Sequence, residues 1–192
     1  MPEVFLRQSV FSLYDRLWRI AAPFLRVNPR LSVGFEQRTL QVCLPPAEIW
    51  IQAASAGESH LAVLLVRTLR ARRPVRILLT SSTQQGMDTI RNGLRETDLE
   101  NVSVFAAYFP FDAPGKMKQA AGMVSPKAMV LIESEIWPGL LVSLDRQNCR
   151  VLVVNGRMTE KSLRRYLLWA SFWRSFAPDR ILAVSRADAR RF

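Results

Sequence analysis

Short apolar runs alternate with helical patterns along most of this chain, starting near residue 49. The runs are rich in Val, Ile and Leu, as expected for strands buried on both faces of a sheet. The predicted strands are 49–54, 75–80, 102–107, 128–132, 150–154 and 180–184. Apolar positions at three-to-four-residue spacing predict helices over 57–72, 86–96, 113–122, 137–147 and 160–176. This alternation predicts an α/β fold: a Rossmann-like, mostly parallel sheet of about six strands with helices on both faces.

The start of the chain has a different pattern. Over residues 1–34, apolar and aromatic side chains recur every three to four residues with arginines between them, which predicts an amphipathic helical segment. Such a segment can lie in a lipid interface or pack against its own domain, and the residues alone leave both open. No apolar run reaches the roughly 18 residues of a spanning helix, and no signal-peptide cleavage pattern follows. We divide the chain into this lead-in, a linker over 35–48, and a Rossmann-like domain over 49–192.

Two of the predicted strands end in acidic residues. The run 128–132 stops at Glu133 and Glu135, and the run 49–54 stops at Ser55-Ala56-Gly57-Glu58. Because the carboxyl ends of parallel strands meet at one edge of a sheet, Glu58, Glu133 and Glu135 are predicted to converge on one crevice.

Glu58 also has a purely structural interpretation. Ser55 followed three residues later by Glu58 is the spacing of a capping box at a helix start, and the residues alone favour that reading. Gly57 would nevertheless let a ligand approach the backbone at the helix N-terminus, where anions are favoured.

Glu133 and Glu135 lie one residue apart, so on an extended backbone they share a side and repel each other unless a cation intervenes. Arg157, after the next strand, is the predicted cation. It would form either a buried ion pair with one of these glutamates or a contact with a ligand.

The loop after the second strand, Thr80 to Thr83 followed by Gly86, can hold a sugar or phosphate or simply cap the next helix. It contains neither a P-loop nor a G-x-G-x-x-G pattern, which disfavours nucleoside triphosphatases and dinucleotide enzymes. After the third strand, Asp112 is predicted either in a rigid crevice wall or as a helix cap.

Charge adds a preference for anionic partners. The chain has 27 basic and 16 acidic residues, for a net charge of +11. Nucleic acid, anionic lipid and phosphorylated small molecules all fit such a surface. Cys43, Cys149 and the single His60 form neither a disulfide framework nor a zinc pattern, so we expect a reducing compartment and no metal.

Several spaced motifs, taken in order, resemble the N-terminal half of the Kdo transferases. These are GT-B glycosyltransferases that move 3-deoxy-D-manno-octulosonic acid from CMP-Kdo to a lipid A precursor. The matching segments are 49–52, Ser55 to Glu58, Pro110 to Pro114, Glu133 to Pro138, Asn155 to Arg157 with 161–162, and Asp188 to Phe192.

The resemblance implies an inverting, metal-independent transfer without a cofactor, in which this half binds the acceptor. It assigns the base to Glu58 and an essential role to Glu133. Beside them we predict acceptor-binding or supporting residues: Ser55, Gly57, Thr83, Gly86, Glu135 and Arg157.

The same resemblance implies that CMP-Kdo binds a C-terminal donor domain that would begin after Phe192, so the isolated chain is expected to be inactive. The expected partners are the lipid A precursor and the anionic cytoplasmic face of the bacterial inner membrane, with no nucleic acid. The alternative is a non-catalytic domain on this fold that binds anionic lipid or nucleic acid.

Overall fold

The structure, a computed structural model, describes residues 12–18, 20–21, 24–95, 99–133, 136–168 and 170–192. Six strands form one sheet with the order β3-β2-β1-β4-β5-β6, and every neighbouring pair is parallel. The strands are β1 (Ile49–Ala53), β2 (Val75–Ser81), β3 (Val102–Tyr108), β4 (Ala128–Ile132), β5 (Arg150–Gly156) and β6 (Arg180–Ala183). The predicted Rossmann-like α/β fold is confirmed.

Helices connect successive strands. Those whose two ends the structure defines are α1 (Pro29–Ser32), α2 (Phe35–Arg38), α3 (Ala56–Thr68), α4 (Gln84–Arg95), α5 (Pro114–Val124), α6 (Pro138–Asp145), α7 (Glu160–Leu167), α8 (Ala170–Ser175) and α9 (Arg186–Arg191). The long helix predicted over 160–176 is two helices, α7 and α8, with Leu168 in a turn between them. Residues 12–18 are also helical.

Each face of the sheet carries its own core, because successive side chains of a strand point to opposite faces. Trp50, Leu78 and Met129 pack with α5 and α6 on one face. Ile51 and Leu79 pack with α3 and α4 on the other. Strand β1 is therefore covered on both sides, as its mostly apolar sequence predicts.

The segment 35–48, predicted as a linker, contributes buried side chains to this domain: Arg38, Leu40, Leu44 and Ala47. The backbone N–H of Ala47 donates to the carbonyl of Val124 at 3.0 Å, which fixes the segment beside α5.

The helical residues 12–18 pack on the loop after β3. The Tyr14 hydroxyl lies 3.1 Å from Asp112 Oδ2, and the rings of Trp18 and Phe111 are 5.8 Å apart. Leu13 and Leu17, on the other side of this segment, are more than half exposed. In the part of the chain that the structure describes, no helix combines the length and the apolar character needed to cross a membrane.

Candidate functional site

The strand order reverses between β1 and β4, since the chain runs outward from β1 to β2 and β3 and then crosses back to β4. Open α/β sheets bind ligands in the crevice at the carboxyl ends of two such strands. Glu58 follows β1 in the first turn of α3, and Glu133 directly follows β4. The topology thus brings two of the three predicted acids to neighbouring strand ends.

Glu58 and Ser55 cap α3 with the spacing of the predicted capping box, but the carboxylate accepts from the Ala54 N–H and the Ser55 hydroxyl. The Glu58 N–H donates to Ser55 Oγ at 3.3 Å, Ser55 Oγ donates to Glu58 Oε1 at 2.8 Å, and the Ala54 N–H donates to Glu58 Oε2 at 2.8 Å. The residue is only 8% exposed. A carboxylate offers about four acceptor positions, so these bonds orient the group and leave acceptor capacity on both oxygens.

The backbone beside Glu58 is open. Gly57 is exposed, and a Cβ atom built on it would meet no other atom within 4 Å. Ser55 is exposed as well. The first turn of α3 therefore presents unobstructed backbone at a helix N-terminus, where the helix dipole favours negative groups.

Glu133 lies in an unusual backbone conformation. Its φ is +63°, in the left-handed region that costs a non-glycine residue about 1–2 kcal/mol. Its N–H donates to the Val154 carbonyl at 2.9 Å, and its Oε1 accepts a long bond of 3.4 Å from Asn155 Nδ2. Asn155 has a φ of +59° and interrupts the pairing of β5 with β6. Strain of this kind, held in place by neighbours, is found preferentially at functional sites.

Residues 134–135 lie outside the described residues, so the predicted role of Glu135 stays a prediction. Four residues after Glu133, the indole N–H of Trp137 is buried and lacks a hydrogen-bond partner in the described part of the chain. A buried donor without a partner is uncommon in a folded protein, and here the indole packs on the core beside Phe109.

Arg157 is exposed and, among the described residues, forms no ion pair with Glu133. Its charge acts on Asp188 instead. The hydrogen bond from Ser185 is the main cause of the lowered pKa of Asp188, and Arg157 adds a smaller electrostatic effect. The predicted contact of Arg157 with a ligand remains open.

Thr83 and Gly86 have clear structural roles. Thr83 Oγ1 accepts from the Gly86 N–H at 3.1 Å, and the Thr83 carbonyl accepts from the Met87 N–H at 3.0 Å, so Thr83 caps α4. Gly86 is buried, and a Cβ there would overlap Ser81 Oγ and lie 2.7 Å from Ser59 Oγ. Close packing therefore accounts for Gly86, and a ligand contact by either residue remains a prediction.

Asp112 caps α6, and not the helix α5 that follows it in the sequence. Its Oδ2 accepts from the Gly139 N–H at 2.9 Å and its Oδ1 from the Leu140 N–H at 2.8 Å, at the start of α6. The residue is 1% exposed, and burial raises its pKa to about 6. The available signal was indirect: α6 begins at Trp137-Pro138, without a polar cap of its own.

Arg38 was also missed. It is buried, donates Nη2–H to the Ser82 carbonyl at 2.9 Å and Nε–H to the Val33 carbonyl at 3.1 Å, and stacks 4.6 Å from the centre of the Tyr108 ring. Burial lowers the pKa of this guanidinium. Arg38 thus ties the segment before β1 to the carboxyl ends of β2 and β3.

A buried polar chain stiffens the end of β1 below the crevice. Trp50 Nε1 donates to Thr80 Oγ1 at 2.9 Å, Thr80 Oγ1 lies 2.6 Å from Gln52 Oε1, and Gln52 Nε2 donates to Ser82 Oγ at 2.9 Å. In the described ranges, no group of three His, Cys, Asp or Glu side chains is placed to hold a metal ion.

Comparison with known proteins agrees with this arrangement. A family model described as 3-Deoxy-D-manno-octulosonic-acid transferase (kdotransferase) matches residues 13–192. A bifunctional glycosyltransferase/methyltransferase of Fusobacterium nucleatum is 31% identical over 166 residues, which is 80% of this chain and 24% of that protein. The 3-deoxy-D-manno-octulosonic acid transferase of Haemophilus influenzae is 34% identical over 125 residues, 65% of this chain and 28% of its own length.

The corresponding transferase of Rickettsia felis is 31% identical over 178 residues, 91% of this chain and 37% of that protein. The chain thus spans between about a quarter and two fifths of the length of these relatives. Since the family model covers nearly the whole chain, this protein belongs to the 3-deoxy-D-manno-octulosonic-acid transferase family and represents its N-terminal domain.

Proposed function

We propose that this chain is the acceptor-binding half of a glycosyltransferase that moves Kdo from CMP-Kdo to a lipid A precursor, with Glu58 as general base. The observation that carries the proposal is the placement of Glu58. Its carboxylate is held by Ser55 and Ala54 at the strand-order reversal, beside the open backbone of Gly57.

In this mechanism an acceptor hydroxyl donates a hydrogen bond to a free lone pair of Glu58. Its oxygen attacks the anomeric carbon of Kdo from the face opposite CMP. As the new C–O bond forms, the bond to CMP breaks with its electron pair, and the hydroxyl proton passes to Glu58. The transfer inverts the anomeric centre and needs no metal. A well-placed base of this kind contributes about 10²–10⁴ in rate.

Glu133 is proposed to orient the acceptor from the opposite wall. Its backbone conformation sets the direction in which the side chain leaves the strand end, and the single long bond from Asn155 leaves the carboxylate able to accept further hydrogen bonds. Ser55 and Gly57 would contact the acceptor at the start of α3. Thr83 and Gly86 would shape the neighbouring rim, and Arg157 would meet an anionic group of the acceptor or donor.

The donor, CMP-Kdo, is proposed to bind a second Rossmann-like domain. The relatives extend well beyond the region that this chain matches, which leaves room for such a domain. Residues 1–192 alone are therefore expected to bind acceptor without turning over.

The start of the chain is proposed to meet the anionic cytoplasmic face of the inner membrane. Five apolar side chains at helical spacing form an exposed stripe, each 55–82% exposed: Leu13, Leu17, Ile20, Phe24 and Val27. Tyr14 and Trp18 hold the other side of this segment on the domain. An apolar stripe on a protein of net charge +11 suits the interface of an anionic bilayer.

The test uses a hybrid enzyme in which this chain replaces the matching region of the Haemophilus influenzae transferase. Transfer of labelled Kdo to a lipid A precursor is measured for the parent hybrid, Glu58→Gln and Ser55→Ala. Glu58→Gln keeps an acceptor for the Ala54 N–H but cannot take a proton, so we expect a loss of about 10²–10⁴-fold.

Ser55→Ala is the matched control, because it damages the same cap and leaves the carboxylate. It should cost about 1 kcal/mol of stability and less than tenfold in kcat, while loss of the proposed Ser55 contact with the acceptor would raise KM for the acceptor. A Glu58→Gln hybrid that transfers within tenfold of the parent would contradict the proposed base.

A second candidate function is a non-catalytic domain that binds anionic lipid or nucleic acid. The use of both Glu58 oxygens in a helix cap is what such a domain would show. Flotation with vesicles containing the lipid A precursor, measured against binding of bulk RNA over a salt series, separates the two. RNA binding that falls steeply with salt, without vesicle binding, would favour this second function.

A further inference from the structure

The carboxylate of Asp112 caps a helix that is distant in sequence. It lies two residues before α5, yet the cap residue of α5, Ala113, makes no side-chain cap bond. The Asp112 oxygens instead accept the N–H groups of Gly139 and Leu140, 27 and 28 residues away. The start of α6 is therefore held by the loop that follows β3.

The contact between this loop and α6 is close. A Cβ atom on Gly139 would lie 2.6 Å from the Asp112 carbonyl oxygen and 2.9 Å from its Oδ1. Asp112 is 1% exposed, so water does not compete for these bonds. A displacement of Asp112 is consequently passed directly to the first turn of α6.

The same carboxylate is also hydrogen-bonded to the helical segment 12–18. The Tyr14 hydroxyl donates to Asp112 Oδ2 at 3.1 Å, and one residue further on, Asp15 Oδ1 accepts from the Gly115 N–H at 3.4 Å. Trp18 packs on Phe111. Asp112 is thus the point at which residues 12–18, the loop after β3 and α6 meet.

The first turn of α6 is only a few residues from the strained residue of the crevice. Glu133 ends β4, and α6 begins at Pro138 after Trp137, whose ring lies 5.3 Å from that of Phe109. The short connection from Glu133 to α6 is fixed at both ends, at Glu133 by the Val154 carbonyl and at α6 by Asp112, so a shift of α6 changes the path open to the chain that leaves Glu133.

We propose that Asp112 is a positioning residue for Glu133. Through the hydrogen bond from Tyr14 to Asp112, the packing of residues 12–18 on the domain would also affect the position of Glu133. The proposal rests on the proposed function only in so far as Glu133 contacts the acceptor. Its physical consequence is a coupling between the segment that bears Leu13 and Leu17 and the wall of the crevice, through one buried carboxylate.

The test is NMR on the 192-residue chain with Tyr14→Phe, which removes a single hydroxyl and keeps the ring packing. Without the Tyr14 hydroxyl, Asp112 loses one of the donors that hold it, so it should hold the N–H groups of Gly139 and Leu140 less firmly. Amide hydrogen exchange at these two residues should accelerate roughly tenfold, which corresponds to the loss of one hydrogen bond to a charged acceptor. The amide signals of Glu133 and Asn155 should shift, while those of Ala54 and Glu58 should stay in place.

Tyr108→Phe is the matched control, since Tyr108 is also a buried tyrosine near this edge and its stacking partner is Arg38. Asp112→Asn should reproduce the Tyr14→Phe changes and enlarge them. Unchanged exchange at Gly139 and unchanged Glu133 signals in Tyr14→Phe, or equal changes in Tyr108→Phe, would overturn the proposal.

Kinetics in the hybrid enzyme then separate this proposal from the proposed function. A positioning role predicts that Tyr14→Phe lowers kcat about tenfold with KM nearly unchanged, because an aligned geometry is lost and binding is kept. A Glu133→Gln hybrid with full activity would contradict the role of Glu133 in transfer, whereas the NMR result reports the coupling independently of any activity.

Discussion

The helices that follow β1 and β4 begin with the same layout, but the N–H groups of their first turns are capped in different ways. Each has a glycine at its second helical position, Gly57 in α3 and Gly139 in α6. Each leaves backbone N–H groups without a partner inside the helix. In α3, Ser55 and Glu58 supply the cap from within the same turn, whereas in α6 the cap comes from Asp112.

The difference separates an open helix start from a closed one. A local cap binds the N–H groups from the side and leaves Gly57 exposed to the crevice. The cap supplied by Asp112 covers the start of α6, so that Gly139 has no free space for a side chain. A ligand can therefore approach the backbone at the start of α3, whereas the start of α6 is closed by the loop that carries Asp112.

The largest predicted effect is a pH dependence of the free energy of unfolding, which comes from Asp112, the cap of α6. Burial raises the pKa of Asp112 from 3.8 to about 6. Between these values the folded protein binds a proton that the unfolded chain has released. Stability therefore falls as pH rises through this window, by about 3 kcal/mol in total, since each pKa unit corresponds to about 1.4 kcal/mol.

Chemical denaturation at pH 3.5 to 7.5 measures this slope as the difference between the parent chain and Asp112→Asn, which cancels the other carboxylates. Tyr14 faces Asp112 and has a raised pKa, so it stays protonated throughout. A difference that does not change between pH 4 and 6 would contradict the raised pKa of Asp112.

The second prediction concerns the closed glycine. Gly139→Ala places a Cβ 2.6 Å from the Asp112 carbonyl oxygen, so the loop or the helix must move. We expect a loss of about 2 kcal/mol, which is typical of overpacking a tight contact. Gly122→Ala in α5 is the control, because its Cβ would meet no atom within 4 Å. Equal unfolding free energies for the two variants would refute the close contact.

The third prediction tests the strain at the end of β4. Glu133→Gly removes the side chain at a φ of +63°, where glycine has no steric penalty. It should raise the unfolding free energy by about 1 kcal/mol and abolish the proposed acceptor contact. Glu133→Ala keeps the Cβ and the strain, so its stability should not rise. A gain in both variants would place the effect in the carboxylate and not in the backbone.

The same comparison explains what the sequence could predict. The cap at Ser55 and Glu58 could be predicted because a local cap has a fixed spacing of three residues. The strand ends could be predicted because apolar runs stop at polar residues. Asp112 acts 27 residues away, and a contact at that separation leaves no spacing to detect. Arg38 was missed for a similar reason, since its partner Ser82 is 44 residues away in the sequence.

The conformation of Glu133 was hidden for a different reason. Glutamate is not a residue that typically adopts positive φ, so nothing at this position signals the turn. At Asn155-Gly156 the signal was present, because asparagine tolerates the left-handed region and the pair is typical of turns. The strand prediction stopped at 154, whereas β5 runs to Gly156 with an irregularity between Val154 and Gly156.

The smallest predicted effect tests the open side of the comparison. Gly57→Ala adds a methyl group that meets no atom of the protein, and alanine is the better helix former. Stability should rise by about 0.5 kcal/mol, the low end of the gain for such a replacement within a helix. If the acceptor approaches the backbone at this point, the same methyl group should raise KM for the acceptor in the hybrid enzyme and leave that for CMP-Kdo unchanged. Because folding improves, any loss of acceptor binding has to come from the crevice itself. An unchanged KM would mean that no ligand comes close to Gly57.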